Sequence, residues 1–546
     1  MPEPQDEQSA ASVVTEEVSP LDDRLLFHVL SAELAGNQGD LRQSQQAYMD
    51  AARLSNDPRV AERAARLALY LHDPLAAQEA SQRWQALAPD DPAPHEALAL
   101  TLLRNDRMEQ ALDHLRTALR LQSGGVGSGF ERIVALLARE TGETKALALT
   151  AVEALVAEHA AEPQAYQAWA ELALQYGQPE LALKAAEQAK TLAPDWTAPE
   201  LLLVQAHLKL EEGDKAVELL EQVLRRQPND YDLRLQYART LLGLEQAEGA
   251  LQQFELLLKA RPNDLQIRYV AALLSLELGE NDKARTYLLQ LVNSGQRSDD
   301  AYFYLGRLAQ TEGDAKGALR WYRQVQGQYR PDALLRLAEV LAQQGQPAAA
   351  QAKLKEVRQQ YPAYTTRSYL LEAAQLRDQG RLHDAHALYT EALQQQPDDI
   401  DLRYGRALTA VMLGQIDAAE RDLRELLRRQ PDEPILLNAL GYTLVDQTTR
   451  YYEGLELIER AYALSPDNPA IMDSMGWALY RLQRLEEARE LLLEAYGLSE
   501  DGEIAAHLAE VLWHLGDRHE ARRILAEGLK REPGHKVLLD TRKRLR

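Results

Sequence analysis

A small residue returns along this chain about every 34 positions. The column runs Ala77, Ala111, Ala146, Ala182, Ala216, Ala250, Ala284, Ala318, Ala350, Ala385, Ala419, Gly454, Ala488 and Ala521. Successive gaps stay between 32 and 36, and Ala47 stands in front as a looser member. A register held over so much of a chain marks a stacked array, in which each copy is too thin to bury a core alone. The length agrees, since 546 residues exceed what one ordinary core serves.

Each copy reads as two helices. "YDLRLQYARTLLGL" (231–244) places apolar residues three and four apart, and so does "AEGALQQFELLLKA" (247–260). A short polar turn separates them, often with glycine, as at Gly213, Gly279, Gly313, Gly345, Gly380, Gly414 and Gly516. Pro-Asp or Pro-Asn then closes the second helix, at Pro194, Pro228, Pro262, Pro397 and Pro431, because proline cannot continue a helix interior. Two helices cross closely only where a side chain is small. Gly306, Gly441 and Gly476 supply the matching small site on the first helix.

The units "LGY" (440–442) and "MGW" (475–477), the small column and the closing proline resemble the tetratricopeptide repeat (TPR) family over residues 24–533. The resemblance implies an all-α solenoid, a right-handed superhelix of about fifteen helix–turn–helix units with first helices on the concave side. Several units lack the family's aromatic in the first helix, and the first, second and fourth are degenerate. Residues 534–546 read as a capping helix. The expected organisation is an acidic tether (1–20), N-terminal TPR-like units (21–121), a flexible glycine-rich joint (122–132), a main array (133–533) and the cap (534–546). As a phosphate cradle the joint "QSGGVGSGFER" fails, because no strand precedes it and no Lys-Ser or Lys-Thr follows.

Composition narrows the chemistry. A net charge of −23 argues against wholesale nucleic-acid binding. The absence of cysteine excludes disulfides, thiol nucleophiles and cysteine–metal centres. No apolar run reaches membrane-spanning length, and no signal peptide is visible. The chain is then cytoplasmic, or has lost an export signal. His383 and His386 lie three apart without a third ligand, and they, with His507, His514 and His519, read as surface or satisfied histidines. No catalytic motif stands out and the repeats leave no room for a catalytic domain. The expectation is a binding protein without catalytic, metal or cofactor residues. The terminal "RKRLR" (542–546) reads as a solvated helix end or as a contact for an anionic partner or surface.

Family geometry implies that Arg239, Tyr269, Phe303, Arg307, Tyr404, Asn438, Tyr442, Asp473, Trp477 and Tyr480 line the concave face. Aromatics and arginines dominate binding energy at interfaces. Tyr442 and Trp477, beside the crossing glycines, read either as partner contacts or as packing between repeats, and Arg239 and Arg307 either as contacts or as solvated cations. The stretch 438–484 is similar to a group of proteobacterial TPR lipoproteins. That resemblance implies an outer-membrane, periplasm-facing adaptor whose N-terminal lipid anchor is missing here. It would bind a carboxyl-terminal processing serine protease and deliver peptidoglycan cross-link hydrolases to it. The alternative is a cytoplasmic TPR assembly factor or co-chaperone that binds protein tails. The Lys/Asn/Arg set that holds a terminal carboxylate in chaperone-binding members is not evident.

Overall fold

The computed structural model describes residues 23–545. Among them are 31 α-helices, two short 3₁₀ turns (Gly327–Tyr329 and Pro362–Tyr364) and no strand. Taken in order from Asp23–Asn37, the first thirty helices are fifteen helix–turn–helix units, and Lys536–Arg544 follows as a last helix. The expected tether, 1–20, lies outside the described residues, as does Arg546. The chain divides into two compact units, Met1–Ile267 and Arg268–Arg546.

The joints between repeats show why the sequence breaks there. At "PNDYDL" the Asp230 side chain accepts from the Leu233 backbone N–H at 2.9 Å, capping the helix Tyr231–Gly243. Asp264 and Asp399 do the same for Ile267 and Leu402. A capping carboxylate satisfies an N–H that the first helical turn leaves without a partner. Asp230→Ala is therefore expected to lower stability by about 1 kcal/mol in urea unfolding, with Asp230→Asn close to wild type.

In the first unit, alanine packing brings helices close. Helix Pro58–Tyr70 buries only alanines: Ala61, Ala64, Ala65 and Ala68. The small column is buried in nearly every pair, with one slip. Ala146 is exposed, and Ala148, two residues on, is fully buried in its place. The turn residue before helix Gly213–Arg226 also departs from expectation. Gly213 opens the helix, and Glu211 takes the left-handed conformation at φ 60°.

The flexible joint at 122–132 is corrected by the structure. Gly125–Leu137 is a helix, and Phe130 is fully buried in a core that runs continuously from Ala99 to Ala206. Gly129 serves close approach. A Cβ on Gly129 would stand 2.7 Å from Leu119 Cδ2. Beyond it, Arg104 donates to both Glu140 oxygens, at 2.9 and 2.7 Å, and to the Leu69 carbonyl at 2.7 Å. The division between compact units falls at Ile267–Arg268 instead.

In the second unit, the crossing glycines sit under large residues of the partner helix. A Cβ on Gly306 would lie 2.5 Å from the Tyr322 ring, and one on Gly476 2.5 Å from Leu492. Gly405 stands in the same way under Tyr389, at 2.5 Å. The last helix seats Leu538, fully buried, against Gly502–His514 and Arg518–Arg531.

Candidate binding face on the first helices

Arg239 belongs to the first unit and is exposed. The other nine candidates belong to the second. There, side chains from consecutive first helices meet in two clusters.

The first cluster joins Leu265–Glu277, Ser298–Thr311 and the turn Gly327–Tyr329. Tyr269 meets the edge of Tyr304 with ring centroids 6.3 Å apart. Phe303 lies almost parallel to Tyr329, 4.8 Å apart at 10°. Arg297 sits 4.6 Å over the Tyr269 ring, and Arg307 5.8 Å from that of Tyr304. A guanidinium over an aromatic face is attracted by the ring quadrupole. Burial, and then the neighbouring phenols, push the Tyr269 hydroxyl well above its usual range. Arg307 remains exposed, whereas Phe303 is buried.

The second cluster joins Pro434–Gln447, Pro469–Arg481 and Gly502–His514. His507 Nδ1 lies 2.9 and 3.0 Å from the two Asp473 oxygens, and both residues are buried. Trp477 is stacked between His507 (4.1 Å) and Tyr480 (4.9 Å), and its indole N–H donates to Asp446 at 3.1 Å. The Tyr442 hydroxyl donates to Glu503 at 2.8 Å, reaching two repeats along. Tyr480 donates to Glu510 at 3.4 Å, and Arg544 of the last helix donates to the same carboxylate at 2.5 Å.

The electrostatics follow from burial among acids. Burial alone would lower the His507 pKa. The Asp473 carboxylate it contacts, with Glu503 and Asp446 beyond, overcomes that and holds it above the ordinary 6.5. Burial, and then Glu510, push the Tyr480 phenol up to about 12. Burial raises Tyr442 further, with Glu503 and Asp446 adding to it.

Two assignments, Phe303 and Asp473, are corrected, and Trp477 follows its packing alternative. Phe303, Asp473 and Trp477 do not stand open on the face, because the next repeat covers them. Tyr442 follows the packing alternative in part: it is half-buried and bridges to Glu503. Tyr404 is half-buried against the cluster of Leu423, Leu440 and Leu444. Asn438 is half-buried, and its Oδ1 has no hydrogen-bond partner among the described residues. The sequence reading missed Tyr304, Tyr329, Asp446, Glu503 and the pairing of His507. Among the described residues no group of three or more His, Cys, Asp or Glu is placed to hold a metal, and no helix is long and apolar enough to cross a membrane.

Paired helices in register, small residues at the crossings and first-helix side chains that interlock between neighbours define a helical-repeat protein built for protein–protein contact. The chain belongs to the tetratricopeptide repeat family. Tetratricopeptide repeat signatures match residues 207–274 and 376–441, 269–333 and 447–503, and 332–364. It is 38% identical over 487 residues to the TPR repeat-containing protein PA4667 of Pseudomonas aeruginosa, spanning 89% of this chain and 82% of that one. Among solved structures it is similar to TTC0263, a TPR protein of Thermus thermophilus, at 25% identity over 33% of this chain and 96% of the other, with a TM-score of 0.30. The Cut9–Hcn1 assembly of the APC/C matches at 17% identity over 96% of each chain, with a TM-score of 0.33.

Proposed function

We propose that this chain is a non-enzymatic adaptor that binds a periplasmic carboxyl-terminal processing serine protease and brings protein substrates, peptidoglycan cross-link hydrolases, to it. The observation that carries the binding role is the assembly of aromatic and arginine side chains from successive first helices, with Arg307 exposed beside them. Such residue types supply most of the energy at protein interfaces. The choice of protease rests on the resemblance of residues 438–484 to proteobacterial TPR lipoproteins, and across the chain to the outer-membrane adaptor LbcA, which partners the protease CtpA. On this reading the protein works at the outer membrane, held there by an N-terminal lipid anchor. Holding enzyme and substrate on one scaffold raises their effective concentration.

The test mixes the chain with the purified protease of its own cell and a purified hydrolase substrate. Hydrolase degradation is expected to accelerate by about tenfold or more, as tethering gains of this kind reach. Arg239→Glu with Arg307→Glu is expected to remove most of that gain while the helical circular dichroism stays unchanged, because both side chains are exposed. Unchanged degradation in the presence of the wild-type chain overturns the adaptor reading.

A further inference from the structure

Residues 518–545 hold nine Lys and Arg against four Asp and Glu, a local charge of +5 in a chain of −23. Four of these cations are already paired with carboxylates. Arg523 pairs with Glu520 and Glu527, Arg531 with Glu500, Lys543 with Asp540, and Arg544 with Glu510. Arg522, Lys530 and Arg542 are exposed, and no carboxylate among the described residues pairs with them. They rim one open groove of about 700 Å³ between the helices Arg518–Arg531 and Lys536–Arg544. Its floor is aliphatic, made by Leu525, Leu529 and Leu545.

The repeat register shows how the last helix departs from the first helices before it. Helix Lys536–Arg544 holds the place of a first helix, and its start lies 67 residues beyond that of Pro469–Arg481. In that earlier helix Gly476 passes closely under Leu492 of the second helix that follows it. The same position in the last helix is Lys543. A glycine position there is a lysine here, and Arg542 beside it lines the groove.

We propose that this groove is a docking site for an acidic protein segment whose carboxylates are interleaved with aliphatic side chains. The carboxylates meet Arg522, Lys530 and Arg542, and the aliphatic groups rest between them on Leu529 and Ala526, the more accessible apolar residues of the groove. Charge complementarity favours this occupant, since three cations without carboxylate partners in an acidic protein steer anionic ligands to one place. A lipid surface is a poorer match. Peripheral helices enter bilayers with large exposed apolar residues, and Leu525 and Leu545, the two deepest in the floor, are only 4% and 7% exposed. A nucleic acid is a poorer match too, because its long phosphate array would also meet the surrounding acidic surface. The proposal is independent of the first-helix face and of the protease reading.

Fluorescence anisotropy of the whole chain with a labelled peptide of repeating Glu-Glu-Leu-Leu tests it. Binding is expected to weaken as salt is raised, and to fall about tenfold or more in the variant Arg522→Glu/Lys530→Glu/Arg542→Glu. The neutral change Ala526→Trp fills the groove and is expected to weaken binding comparably without altering charge. A Lys-Lys-Leu-Leu peptide is expected not to bind. Equal binding of the Glu-Leu peptide to the charge-reversed variant or to Ala526→Trp overturns the proposal. So does preferential binding of phosphatidylglycerol-containing vesicles or of single-stranded oligothymidylate.

Discussion

Gly441→Ala is expected to destabilise the helix pair Pro434–Gln447 and Tyr451–Leu464 by about 1–3 kcal/mol, and Gly441→Leu by more. At this crossing the two backbones touch. A Cβ on Gly441 would meet Ile458 Cγ1 at 2.6 Å and the Gly454 carbonyl oxygen at 2.7 Å. A Cβ on Gly454 would meet the Gly441 carbonyl oxygen at 2.6 Å. A side-chain tip can rotate away, but a carbonyl held in a helix cannot, so the helices must separate. At Gly476 the obstacle is the Leu492 side chain, and Gly476→Ala is expected to cost less. Gly497 gives the opposite sign. It lies inside helix Leu485–Leu498 with nothing within 4 Å of its added Cβ, so Gly497→Ala is expected to stabilise by roughly 0.5–1 kcal/mol through helix propensity. Because repeat arrays open locally, amide hydrogen exchange over 434–498, which spans all three glycines, is the measurement that separates these cases. Equal protection in Gly441→Ala and wild type would refute the backbone-contact account.

The features most legible in the sequence are those where one residue type alone fits. A crossing admits only a small residue, so Ala182, Ala216 and Gly454 announce themselves, and the capping aspartates after Pro228 and Pro397 mark where helices restart. Legibility fails where the same residue serves two purposes. The glycines at 124–129 match a flexible linker in composition, yet Gly129 is there because Leu119 presses on it. The irregular fourth pair also slides the small site from Ala146 to Ala148, which a strict period does not register. For the binding face, periodicity places a residue on the first helix but does not say whether the following repeat covers it. Trp477 and Phe303 are covered, and Arg307 is not. His507 escapes the column logic for a further reason. Helices Pro469–Arg481 and Gly502–His514 start 33 residues apart, which aligns Asp473 with Ala506 and puts its true partner one position on.

Asp473→Leu is expected to cost about 3–5 kcal/mol near pH 6, because it leaves a buried imidazolium without its carboxylate. His507 is enclosed by Trp477, Tyr442 and Asp473, so water cannot replace the lost partner. The pH dependence carries a definite sign. In the folded chain the His507 pKa is raised above its unfolded value near 6.5, so the folded state binds the proton more tightly. The stabilisation is fully present below 6.5 and is lost as pH rises through the folded pKa. Wild-type stability of the last pairs should therefore decline above neutrality by this contribution. The deficit of Asp473→Leu should shrink over the same range, since the variant's His507 is relieved by losing its proton. Asp473→Leu/His507→Leu removes both charges and is expected to recover most of the loss, at every pH, because well-packed apolar groups replace a buried pair at little cost. Hydrogen exchange over 469–514 at pH 6 and pH 9 reads all three. A deficit in Asp473→Leu that grows with pH would mean that His507 is neutral in the fold, and that Asp473 acts through some other partner.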